Sequence, residues 1–208
     1  MHPRPVASGR NVETESGGDT QLAAAARAMA QAPTFADFEQ AVATVERLAS
    51  GGHAEALCLV ATLEAVGAGR NRDWRGALDH LERAAELGSE HARDQLRLLE
   101  QVSAPNGNGG GTLRDGDWRG SAARIDLERL LRAPDPAALS ERPRLRLFRG
   151  FAHEAECRWL IDRLAPKLHP AVVWDLDSGE TLVVPYRSNR ADELPLGDMD
   201  VVSEIGRA

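Results

Sequence analysis

The chain has little of several things that would announce a function. Its 208 residues hold two cysteines and one tyrosine, and only 4% of them are aromatic. Cys58 and Cys157 cannot build a disulfide framework; both fall on apolar helical faces and are expected as buried thiols of a reducing compartment. Lysine is nearly missing, with Lys167 alone against a background of arginine, a bias of composition rather than of function. The net charge of −7 leaves no basic face for a nucleic-acid backbone. No apolar run approaches the length of a membrane span, and the start Met1-His2-Pro3-Arg4-Pro5 lacks the apolar core of a secretory signal. A cytoplasmic protein without nucleic-acid or membrane partners is therefore expected. HExxH and paired CxxC spacings are missing as well. What remains, 42% hydrophobic and 27% charged, is the composition of a globular chain of one or two domains.

Residues 1–19 are rich in Gly, Ser, Pro and charge and are expected to be a disordered tail. Residues 20–102 then carry an internal repeat. Asp37-Phe38 matches Asp73-Trp74, a step of 36, and the same step relates Val45-Glu46-Arg47 to Leu81-Glu82-Arg83 and Ala49, Gly52 and Ala56 to Ala85, Gly88 and Ala92. The pattern predicts first helices over Gln21–Ala30, His53–Val66 and Glu90–Val102, and second helices over Ala36–Ala49 and Trp74–Leu87. The matched alanines let paired helices approach closely, and Gly52 and Gly88 end the second helices in the left-handed conformation. Gly67-Ala68-Gly69, Asp73-Trp74 and Ala84-Ala85-Glu86-Leu87-Gly88 together resemble a Sel-one-like repeat, a relative of the tetratricopeptide repeat. That resemblance implies an αα-repeat, a short α-solenoid whose concave face binds a protein or peptide; the alternative is a helical spacer that supports the domain behind it.

Residues 103–142 are predicted as a Gly-rich linker followed by a connector helix through Ile125, Leu127, Leu130 and Leu131. Asp117-Trp118-Arg119-Gly120 repeats Asp73-Trp74-Arg75-Gly76 letter for letter, either by chance or as a decayed repeat. Trp74, Trp118, Trp159 and Trp174 are expected as core or interface anchors.

Residues 143–208 change character. Arg144 to Phe148 alternates polar and apolar residues, the period of a half-buried strand. His153 to Leu164 places Cys157, Leu160, Ile161 and Leu164 on one helical face as core. Ala171–Trp174 and Thr181–Tyr186 flank the turn Asp177-Ser178-Gly179, which predicts a hairpin. Asp198 or Asp200 then caps a short helix holding Val201, Val202 and Ile205. Arg-Leu-Arg-Leu-Phe-Arg-Gly-Phe from Arg144, with Glu154-Ala155-Glu156-Cys157 and Trp159-Leu160-Ile161, resembles the opening of prolyl 4-hydroxylase-like oxygenases that depend on iron and 2-oxoglutarate. Ala152 stands where that family has a serine cap. Asp177 to Glu180, Arg187-Ser188-Asn189 and Asp200 through Arg207 resemble the later hairpin, strand and helix of the same segment, and the preceding connector resembles that of bacterial proteins with this arrangement.

The resemblance implies an α+β chain: the solenoid, then an incomplete α/β opening segment of a double-stranded β-helix (jelly-roll) oxygenase domain. In the full-length family Fe(II), 2-oxoglutarate and ascorbate serve a peptidyl or related hydroxylation. The iron is held there by a His-x-Asp and a distant His beyond the matched segment. No histidine follows Arg187 here, so the chain is expected to be an N-terminal portion, inactive by itself, with neither catalytic nor metal-binding residues and no cofactor of its own. Helical His53-Ala54-Glu55 and His80-Leu81-Glu82 do not substitute, because residues i and i+2 of a helix point about 200° apart; both histidines are expected on the solvated surface. His153 and His169 have no second ligand at a useful spacing. The candidates for a substrate flap or groove are Tyr186, Arg187 and Ser188, with a surface pair of Arg187 and Asp192 as the alternative. A non-catalytic repeat protein carrying a degenerate oxygenase remnant is the rival to the whole account.

Overall fold

The computed structural model describes residues 11–104, 118–176, 178–184, 188–191, 196 and 199–205. It is an α+β structure, rich in helix with a few short antiparallel strands. The chain divides into two compact units. One contains the described residues up to Arg132 and those from Leu196 onward, and the other is Ala133–Pro195. Both boundaries differ from the predicted 142/143 division: the second unit begins ten residues earlier, and the last residues belong with the helices.

The helical unit is built mainly of long helices. Its five long helices are α1 (Asn11–Ala30), α2 (Phe35–Ser50), α3 (Ala54–Val66), α4 (Trp74–Glu86) and α5 (Glu90–Ser103). The expected tail is thus helical from Asn11, while residues 1–10 lie outside the described residues. Gly18 explains how this glycine-containing stretch stays helical: the His53 ring lies so close that a Cβ there would meet Cδ2 at 2.6 Å, and Asp19 pairs with His53 Nε2 at 3.2 Å. Tertiary contact outweighs weak propensity.

The joints between α2 and α3 and between α4 and α5 are copies of each other. Gly51, Gly52 and His53 donate to the carbonyls of Arg47, Ala49 and Leu48; Leu87, Gly88 and Ser89 donate to those of Arg83, Ala85 and Ala84. Gly52 and Gly88 adopt φ of +86° and +105°, where a side chain would be strained. Beyond each joint a side chain caps the next helix: His53 Nδ1 accepts from Ala56 N–H and Ser89 Oγ from Ala92 N–H. The other junction is less regular. Asp73 caps α4, whereas α2 is capped by Thr34, so Asp37 sits inside the helix rather than before it.

The core lies where the matched alanines and leucines meet. Val45, Leu63, Leu78, Leu81, Leu96 and Leu99 lose all exposure, as do Ala56, Ala61, Ala77, Ala84, Ala85 and Ala92. Helix α3 is buried nearly all round, the property of a central helix. After residues 105–117, which carry the predicted linker and lie outside the described residues, two short helices replace the single connector helix: α6 (Ser121–Arg124) and α7 (Leu127–Leu131). The repeated tetrapeptide does not repeat its structure. Trp74 opens α4, but Trp118-Arg119-Gly120 forms a turn with Gly120 at φ +79°. Buried Trp118 lies under the guanidinium groups of Arg93 and Arg97, and the Glu82 carboxylate accepts from Gly120 N–H at 2.8 Å and Ala122 N–H at 2.9 Å.

The second unit contains the predicted strand, helix and hairpin. Strands β1 (Ala137–Glu141) and β2 (Arg144–Leu147) pair antiparallel. Helix α8 (Glu154–Leu164) starts at a capping box in which His153 Nδ1 accepts from Ala155 N–H and Glu156 reaches back to His153 N–H. The cap of α8 is therefore His153, not the preceding Ala152. Strand β3 (His169–Pro170) pairs with β6 (Arg190–Ala191), and β4 (Val172–Trp174) with β5 (Thr181–Val183) in the register Val172↔Val183, Val173↔Leu182, Trp174↔Thr181. Its interior is far smaller than the helical face of Cys157, Leu160, Ile161 and Leu164 led one to expect. Cys157 is exposed, Ile161 is 60% and Trp174 63% exposed, and Ala171 is the single buried hydrophobic among the unit's described residues. The apolar pattern is present, but no facing layer among the described residues covers it.

The closing helix α9 (Val201–Ile205) packs on α3 and α5. Asp200 is its cap, accepting from Ser203 N–H at 2.8 Å. None of the described helices is long and apolar enough to cross a membrane.

Candidate functional site

Of the three sequence candidates, Tyr186 and Arg187 lie outside the described residues, as does Asp192, and Ser188 is exposed just before β6. No group of three or more His, Cys, Asp or Glu among the described residues is placed to hold a metal ion. The iron implied by the resemblance finds no ligand set among them.

The two helical histidines are structural rather than solvated. His53 accepts at Nδ1 from the α3 N-terminus and reaches Asp19 through Nε2, with only 16% of its side chain exposed. His80 Nδ1 lies 2.8 Å from Glu64 Oε2 and 3.0 Å from the Gly76 carbonyl. The hydrogen bond to Glu64 raises the His80 pKa above its ordinary value, with burial opposing. Gly76 is required here, because a Cβ would fall 2.8 Å from Asp73 Oδ2 and 3.1 Å from Glu64 Oε2. Cys58, buried as expected, contacts Ser89 Oγ at 3.4 Å, and burial pushes its thiol up to about 12. A thiol so poorly ionised is no nucleophile.

The helical unit carries two open pockets at its surface. Helices α1 and α2 enclose an open groove of about 780 Å³. Its apolar lining is Ala24, Ala25, Ala28, Ala32, Pro33 and Ala41, among which Ala25 and Ala41 are buried, and Gln21, Gln31, Gln40, Thr44, Arg47 and the Asp37 carboxylate bring polar groups to it. Short floor side chains leave room for a partner's larger ones, and the polar walls supply donors and acceptors to a main chain. A second, smaller pocket of about 300 Å³ lies between the N-termini of α3 and α5, lined by Asp19, His53, Glu55 and Ser89. Sequence reasoning named the helices behind these surfaces but not the groove, because its floor is alanine, which reads in a sequence only as helix packing.

The surface on α3 and α5 is occupied. Gln95 Oε1 accepts from Val201 N–H at 3.0 Å, and the Thr62 hydroxyl, which donates within α3 to the Cys58 carbonyl at 3.2 Å, lies 3.4 Å from the Met199 carbonyl. Val201, Val202 and Asp200 are buried against it.

No family model matches the chain, and neither a curated protein nor a solved structure is significantly similar to it.

Proposed function

We propose that the helical unit is a protein-interaction module that binds a short peptide segment of a partner in the α1/α2 groove. The observation that carries this is the groove itself: an apolar floor of small side chains between amide-bearing walls, open to solvent and large enough for several side chains. The copied joints at Gly52 and Gly88 support a Sel-one-like arrangement, in which such faces are where partners sit. The test is a display selection of random peptides against the full chain, followed by affinities for the Ala28→Arg variant. Ala28 is exposed on the groove floor, so arginine there fills the groove without entering the core. Enriched peptides should lose about tenfold or more in affinity, roughly 1.4 kcal/mol per tenfold. No enrichment, or peptides indifferent to the substitution, would remove the proposal.

A second reading concerns residues 133–195. Strand, helix and hairpin follow one another at 144–147, 154–164 and 172–183, the order in which the resemblance to prolyl 4-hydroxylase-like oxygenases places them. On this reading the segment belongs to the opening of such a domain, and hydroxylation with Fe(II), 2-oxoglutarate and ascorbate is the property of a complete one. Anaerobic titration of this chain with Fe(II) and 2-oxoglutarate should give no charge-transfer band; a stoichiometric band would show that ligands such as His153 or His169 assemble a site after all.

A further inference from the structure

We infer that the α3/α5 surface is a second peptide-recognition site, held closed by the chain's own segment Met199–Ile205, and that its external ligand is a partner segment of the same chemistry: a short, Asp-capped helix with two adjacent β-branched residues. This site shares no residue with the α1/α2 groove, so the two proposals stand or fall separately.

Three observations carry the inference. The first is how the segment is held. The Gln95 side chain grips the main chain of the segment at Val201 N–H, and the Thr62 hydroxyl, shared with the Cys58 carbonyl at 3.2 Å, lies 3.4 Å from the Met199 carbonyl. Main-chain groups are common to all peptides, so the Gln95 contact recognises a helix start rather than this sequence, and it satisfies an N–H that any helix N-terminus leaves open. Specificity then rests on the seats of Val201 and Val202 and on the cap. In that cap Ser203 N–H donates to Asp200 Oδ1, and Ser203 Oγ accepts from Asp200 N–H at 3.1 Å.

The second is that the helices of the surface have partners besides the segment. Helix α3 packs against α2 and α4, and α5 against α4, so both are supported by the repeat stack itself. A five-residue helix, by contrast, is too short to persist alone and forms only when seated.

The third is an imperfect fit. Gln95 is wholly buried, and with Oε1 committed to Val201 N–H its Nε2 has no acceptor among the described residues. A buried amide donor left open is costly. A ligand that also brings a carbonyl or carboxylate to Nε2 would satisfy it and displace the resident segment.

The experiment uses the full chain and a fluorescent synthetic peptide of residues 196–208, read by anisotropy. Val201→Asp with Val202→Asp ejects the resident segment, and the peptide should then bind about tenfold or more tighter than to the unaltered chain, since a site closed most of the time loses apparent affinity by its open fraction. Gln95→Leu added to the released chain should abolish that gain, and the peptide should raise the melting temperature of the released chain but not of the unaltered one. Equal weak binding to both chains overturns the inference. Should the double aspartate variant lose its helical circular dichroism, Asp200→Ala with Ser203→Ala, which removes only the cap, replaces it with the same expected gain. Light scattering provides an independent check: an unaltered chain that is dimeric and becomes monomeric on release exchanges its segment between copies, which overturns closure within one chain.

Discussion

The two units use the same kinds of apolar residue and arrive at different interiors. In the helical unit a leucine or alanine recurs on each inward face, five long helices supply facing layers, and many of these side chains lose all exposure. In Ala133–Pro195 the strands and α8 are patterned just as regularly, yet Leu139, Phe151, Ile161, Trp174, Leu176 and Val183 are each more than half exposed. Patterning decides which face of an element is apolar; only a second layer decides whether that face is buried. Two-stranded ribbons and one helix give each other too little cover, since an isolated hairpin is marginal in water.

The largest effects should therefore fall on one side. Leu81→Ala removes a fully buried side chain and should cost about 2–5 kcal/mol in urea unfolding followed by helical circular dichroism. Val183→Ala on β5 should stay within about 0.5 kcal/mol. Comparable losses would mean that β5 is covered by something after all. Limited proteolysis reads the same contrast, with first cleavages expected between 133 and 195 and those within α2–α5 later; the reverse order would break it. Next in size, Glu82→Ala strips two main-chain donors of their acceptor at the α6 turn, a loss of about 1–3 kcal/mol with early release of Trp118 fluorescence. An unchanged Trp118 signal would leave the turn held by its aromatic contacts alone. Ser89→Ala removes the α5 cap and should cost about 1 kcal/mol, and an equal loss at the copied position, His53→Ala, would show that the two joints are energetically as well as geometrically alike.

The smallest effect is a pH dependence. Because Glu64 raises the His80 pKa in the folded chain, the pair's stabilisation is complete below the unfolded value near 6.5 and is lost as pH rises through the folded one. The difference in melting temperature between the unaltered chain and His80→Gln should thus be larger at pH 6 than at pH 8. A difference that grows with pH would mean that the neutral imidazole is the favoured form.

Much of the helical unit was legible because its signals are local. The positive-φ glycines and Asp73 before Trp74 each act within a few residues, and α2 to α5 fell within a turn of their expected bounds, whereas α1 starts ten residues before the expected Gln21. The hairpin at 172–183 was legible for the same reason. What escaped depends on contacts distant in sequence. Gly18 stays helical because of His53, and Trp118 departs from Trp74 because Glu82, Arg93 and Arg97 receive it. Cys157 is exposed because no described layer faces α8, although its spacing is that of a core residue. The grooves were not legible at all, since alanines at a groove and alanines at a helix contact spell the same pattern.

The attachment of α9 has a consequence for the order of assembly. Contacts within the repeat stack join residues near in sequence and so form early and fast. The bonds from Gln95 to Val201 and from Thr62 to Met199 close loops of 106 and 137 residues, and loop-closure entropy must be overcome before they yield anything. They should be the last contacts made in folding and the first lost under mild denaturant, so that hydrogen exchange at Val201 N–H reports an opening far below the global one, while the exchange of α3 and α4 stays at the level of the whole unit.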